Sequence, residues 1–302
     1  MMKNTIKKDQ LDMTVPYIIS TDSGCDLSKK ECMKRNIEAL PMYFLDGDKT
    51  YLDTMRDEDL EKFYENIKAG TNYKTTSINQ NEAYTYFTDL LKKNKNIIHI
   101  CLGSKISGSF NNCMHAKAQI EEEDKEANIY ILDSTLACLG YGILAIEASN
   151  MRDEGKSFEE VVKYLEDSKR SINTYYTTNT LTYLARGGRV SKIASIFGNA
   201  LSIKPILRLN YEGALLVDSK GHGLNKTYAM IINKIKETVI NPENQILYIS
   251  HSNCLDVAKN FASLIMKEIP FKSVFYSFIG SIIGAHTGPG LVAAFYHGKE
   301  RF

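Results

Sequence analysis

NIIHICLGSKISGSFNNC, residues 96–113, carries the reading of the fold. Its first seven residues form an apolar run of strand length, Gly103 opens a loop of small and hydroxyl-bearing residues, and a helix is expected from near Ser109. A buried strand that runs into such a loop and then a helix is how a parallel β-α crossover begins. Working outward, YIIST (17–21), ALPMYF (39–44) and NIYILD (128–133) read as companion strands separated by amphipathic stretches, which predicts an α/β, doubly wound unit. Ser28 and Glu31 have the spacing of a capping box at a helix start.

The charged stretch 151–170, MRDEGKSFEEVVKYLEDSKR, reads as one amphipathic helix, with the domain junction just before or within it. The expected division is an N-terminal α/β domain over residues 1–160 and a C-terminal α/β domain over 161–302. Past the junction, INTYYTT (172–178), KPILRLNYEGALLV (204–217), ILYISH (246–251) and SVFYSFIG (273–280) read as strands, with Glu212-Gly213 suited to a hairpin turn. Residues 275–296 lack Asp, Glu, Lys and Arg over a membrane-spanning length. Four glycines, Pro289 and His286 interrupt them, so a buried strand, a tight polar loop and another buried element are expected rather than a span.

A chain of 302 residues can bury two cores. Its 37 Lys and Arg balance 36 Asp and Glu, leaving a net charge of +1 and no basic field to gather a nucleic acid. The six cysteines form no C-x-x-C pair and several sit in apolar patterns, which fits reduced thiols in a cytoplasmic, reducing setting. The first sixteen residues hold no apolar stretch of signal-peptide length, so export is not expected.

The loop from Gly103 lies where parallel sheets place ligands, beside a helix N-terminus whose free amides suit an anion. The simpler alternative is that Ser107 or Ser109 only caps the helix. Gly103 and Gly108 have Walker-loop spacing, but Ser109 stands where the phosphate-gripping lysine belongs. A hydrolase elbow would need glycine two residues before the serine, and Lys105 is there instead. The six histidines show no ligand spacing of the H-E-x-x-H kind, so no metal site is expected. Lys74-Thr75-Thr76-Ser77 and the loop Gly284–Gly290 around His286 have the same small, polar character. His286 reads either as a structural histidine or as a donor to an acid. Gly187-Gly188 can stop a helix, and the flanking Arg186 and Arg189 are either solvated or in contact with a partner.

Taken in order, Thr21-Asp22-Ser23-Gly24-Cys25-Asp26-Leu27, Thr76-Ser77, Ser104 to Ser109, Asp133-Ser134, Leu184 to Arg189 and the His286 loop resemble the DegV family of fatty-acid-binding proteins. The likeness runs from about Tyr17 to the C-terminus. It implies two α/β domains with a ligand site between them, holding one long-chain fatty acid and no other cofactor. Thr76 and Ser107 match the family's carboxyl-binding hydroxyls, Ser77, Gly108 and Ser109 complete the head-group cradle, and His286 matches the histidine of the same network. In kinase-linked members a separate ATP-binding subunit phosphorylates the bound acid for phospholipid synthesis, and Arg189 matches a motif that contacts it. This implies a lipid-carrying subunit rather than an enzyme, with a stand-alone lipid sensor or buffer as the alternative and a phosphotransfer or hydrolytic enzyme as the third reading. Two departures stand out: Ile78-Asn79 in place of Gln-Pro, and Lys220-Gly221-His222-Gly223 where many members carry an arginine linked to kinase docking.

Overall fold

The computed structural model describes residues 15–188 and 203–302. The first stretch runs β1 (Ile18–Asp22), α1 (Lys29–Lys34), β2 (Ile37–Leu40), β3 (Tyr43–Asp46), β4 (Lys49–Leu52), α2 (Asp57–Lys68), β5 (Lys74–Thr75), α3 (Gln80–Leu91), β6 (Asn96–Cys101), α4 (Ser109–Glu123), β7 (Asn128–Asp133), α5 (Leu139–Asp153) and α6 (Phe158–Ser168). It is followed by β8 (Ile172–Thr177), α7 (Thr182–Arg186), β9 (Ile203–Leu209), β10 (Leu215–His222), α8 (Leu224–Thr238), β11 (Ile246–His251), α9 (Leu255–Glu268), β12 (Ser273–Phe278), α10 (Ser281–Thr287) and β13 (Val292–His297).

The apolar runs of the N-terminal part pair as a four-stranded sheet of order β2-β1-β6-β7, parallel throughout. The C-terminal sheet has order β10-β9-β8-β13-β11-β12 and is antiparallel except for β11 beside β12. Two expectations are corrected here. ALPMYF is not one strand: Pro41, which lacks an amide donor, separates β2 from β3, and β3 leaves to centre a small antiparallel sheet β4-β3-β5. Residues 151–170 are not one helix: α5 ends at Asp153, the chain turns at Glu154-Gly155, and Ser157 and Glu160 cap α6 reciprocally. At α1 only half of the expected capping box forms, because Ser28 accepts from the Glu31 amide while the Glu31 carboxylate pairs with Arg35.

Helix α5 explains how the two sheets share a core. It is buried nearly all round and touches β1 and β6 of one sheet and β8 and β11 of the other. Gly142 lets it approach, since a Cβ there would lie 2.5 Å from the Cys25 carbonyl oxygen. One apolar cluster runs from Ile19, Ile98 and Leu132 through α5 to Leu207 and Phe295. Arg301, 4% exposed, reinforces the junction by donating to the carbonyls of Thr135, Lys169 and Asn210 and to the Thr135 hydroxyl. Among the described residues no helix is long and apolar enough to cross a membrane.

Candidate functional site

The loop after β6 is pinned at its start. Asp22, buried at the end of β1, accepts from the amides of Leu102 and Gly24 at 2.9 and 3.1 Å and from the Tyr141 hydroxyl at 2.5 Å. Burial raises its carboxyl above the ordinary range. Asp133, at the end of β7, takes the amide and hydroxyl of Ser104 at 3.0 and 2.5 Å. Gly103 donates to the Leu136 carbonyl at 2.8 Å. With residues 102–104 fixed to both neighbouring strands, the loop projects Ile106 and Ser107 before turning into α4 at Ser109.

Hydroxyls gather where it turns. Ser107 Oγ lies 3.3 Å from Ser77 Oγ and 2.9 Å from Ser109 Oγ. Ser109 is fully buried, accepts from the Ile78 amide at 3.1 Å, and directs its own amide to Ser107 Oγ at 3.2 Å. That amide, expected to face an anion, is therefore used inside the loop; Gly108 stands at the helix N-cap, so neither Ser107 nor Ser109 is the capping residue that the simpler reading expected. Ser77 and Ser107 are half-buried and Gly108 is exposed.

His286, on α10, was expected in one network with Thr76 and Ser107. Its Nε2 instead lies 2.7 Å from Thr75 Oγ1. Thr76 is exposed and donates its amide to the Tyr43 carbonyl at 3.3 Å. Side chains alternate along extended backbone, so 75 and 77 share a side while 76 points away. That alternation was the signal for Thr75. Gly187, just past α7, makes room for the imidazole, since a Cβ there would sit 2.3 Å from His286 Nδ1. Arg189, the expected partner contact, lies outside the described residues.

Beneath this mouth an apolar cavity opens between the sheets. It offers about 60 Å³ of free space inside, well below the ~300–1,000 Å³ usual for small-molecule sites. Ile106 and His286 border it at the hydroxyl side. Its walls include Ala137, just before α5, Leu207 and Leu209 from β9, Leu215 from β10, and Ile283 from α10. These wall residues were not singled out from the sequence, because an apolar residue facing a void and one facing a neighbour have the same periodicity. Among the described residues the lining includes no Lys or Arg. Such a lining suits part of an unbranched apolar chain, with Tyr176 and Thr287 as further polar side chains along it.

Hydroxyls and an imidazole beside one end of an apolar cavity make up the arrangement of a binding site for a ligand with a polar head and an apolar tail. The DegV family pattern matches residues 17–299, and the chain belongs to that family. A DegV domain-containing protein of Clostridium perfringens is 32% identical over 286 residues, covering 94% of this chain and 98% of its own. The structure of DegV from Bacillus subtilis, a fatty acid binding protein, superimposes with a TM-score of 0.80 at 25% identity, over 94% of this chain and 100% of that one. The fatty acid kinase B3 protein of Streptococcus pneumoniae, loaded with linoleic acid, has the same fold, with a TM-score of 0.80 at 19% identity over 93% and 99% of the two chains.

Proposed function

We propose that this chain binds one long-chain fatty acid, seats its carboxyl at Ser107 and Ser77 with Thr76 on the rim, and presents that carboxyl to a separate ATP-dependent kinase subunit. The observation that carries the reading is that the apolar cavity is bordered by Ile106 and His286, beside the linked hydroxyls of Ser77 and Ser107. Each methylene taken from water contributes about 0.8 kcal/mol, less the cost of ordering the chain. The head group then needs orientation more than affinity, which neutral hydroxyls supply. In this scheme Ser109 positions Ser107, Thr75 orients His286, and Gly108 lets the acid approach. The fatty acid binding protein of Bacillus subtilis and the linoleic-acid-loaded pneumococcal protein support the ligand, and the latter, a fatty acid kinase protein, supports the partner.

The carboxyl assignment is tested by titrating lipid-free protein with a fatty acid and with its methyl ester. Tighter binding of the acid, lost in Ser107→Ala, is the expected result, and equal binding of both would overturn it. For the partner, labelled ATP is supplied with and without an ATP-binding subunit, and label should reach the acid only with it. Arg189→Ala should keep its lipid and lower that transfer. Gly221-His222 at the end of β10, in place of an arginine, favours the second reading of a stand-alone lipid buffer, and no transfer in any mixture would establish that reading over the first.

A further inference from the structure

Directly under the loop, on the side of the parallel sheet away from α5, lie three side chains that the lipid site does not use. We infer that His99, Cys101 and Cys113 form a buried site for a soft, thiolate-seeking d10 ion, Cu+ or Zn2+. His99 and Cys101 are two residues apart on β6 and so share a face, and Cys113 meets them from the second turn of α4. Their ligand atoms all lie within 4.8 Å of one another, and all three residues are fully buried.

The imidazole is already oriented for the task. His99 Nδ1 is 2.9 Å from Ser20 Oγ, which is 2.8 Å from the Tyr86 hydroxyl. An outer partner of this kind fixes the tautomer and ring angle of a metal-binding histidine. The other nitrogen, Nε2, is buried and faces only the Cys113 thiol, at a separation too long for an ordinary hydrogen bond. A thiol is a weak donor to a buried acceptor, and an ion shared by sulfur and nitrogen would satisfy both more fully.

Two sulfurs and one imidazole nitrogen are the donors that soft ions select over Mg2+ or Ca2+. With both thiol protons released to solvent, two thiolates neutralise Zn2+ in full, whereas three donors without a fourth suit trigonal Cu+. Either ion would tie the last residue of β6 to the second turn of α4. Those are the two ends of the loop that carries Ser107, so the ion would act as a clamp on that loop from below.

The test uses reduced, metal-free full-length protein in two arms: Cu+ delivered as its bicinchoninate complex, and Zn2+ in competition with a chromophoric chelator. In at least one arm the protein should withdraw one equivalent. Affinity should fall by more than about tenfold in Cys113→Ser and in His99→Ala, and stay unchanged in Cys254→Ser. X-ray absorption of the loaded, unsubstituted protein should show two sulfurs and one imidazole around the ion, whether or not the variants fold. Withdrawal of neither ion overturns the site, as does uptake that survives both Cys101→Ser and Cys113→Ser, or a shell lacking either sulfur or imidazole.

Discussion

Replacing Ala137 by leucine adds three carbons to a wall of the cavity, where the alanine is 7% exposed and faces the void. If the void is the acyl channel, those carbons occupy space that about three methylenes of the ligand would otherwise fill. At about 0.8 kcal/mol per methylene the loss is about 2.4 kcal/mol, or roughly fifty-fold in the dissociation constant. The empty protein should respond in the opposite sense, because filling a cavity adds contacts that the wild type lacks. The assay is displacement of a fluorescent fatty acid from lipid-free protein, paired with thermal unfolding without ligand. Weaker binding at an equal or higher unfolding temperature is expected. Unchanged affinity in a protein that folds normally would refute the assignment of this void to the tail.

Ser107→Ala removes a hydroxyl linked to both Ser77 and Ser109; a neutral hydrogen bond of ~0.5–1.5 kcal/mol predicts roughly two- to tenfold weaker binding of the free acid, measured by the same displacement, and no change for the methyl ester. Gly187→Ala places a Cβ 2.3 Å from His286 Nδ1 and should push the imidazole off Thr75. Acid binding should then weaken, and in a double-mutant cycle the effect should disappear in a His286→Ala background. Asp53 provides a pH test: burial pushes its carboxyl up from 3.8 to about 6. An acid whose folded pKa is raised binds its proton earlier in the folded chain, so its ionisation weighs against folding above pH 6, and that penalty fades as pH falls through 6 toward 4. Relative to wild type, Asp53→Asn should therefore gain about 2 kcal/mol between about pH 4.5 and about pH 7.5, read by denaturant unfolding. A difference independent of pH would contradict the burial argument.

The parallel sheet was legible because β6 and β7 are mostly apolar, the pattern of strands covered on both faces, and β1, though it ends Ser20-Thr21-Asp22, opens on the apolar Ile18-Ile19. The hairpin of β9 and β10 was legible from Glu212-Gly213. Less visible was the departure of β3 into a third sheet, since its half-buried residues carry no mark of which sheet they join. At the candidate site, motif matching singled out Ser107 and Ser77, whose hydroxyls lie 3.3 Å apart, and His286, but expected Thr76 where Thr75 makes the contact. Pairing across elements separated by some 200 residues is a tertiary outcome, and only the alternation along 75–77 hinted at it. The His99, Cys101 and Cys113 cluster escaped for the same reason, because strand, loop and helix must fold before those donors meet.

The central claim is that the cavity between the sheets holds a fatty acid. Native mass spectrometry of the purified full-length chain, followed by denaturing release of whatever it carries, tests it most directly. The account predicts one long-chain acid per chain, absent after delipidation and restored by adding the acid. A chain that emerges bare and takes up no acid when offered one would contradict it.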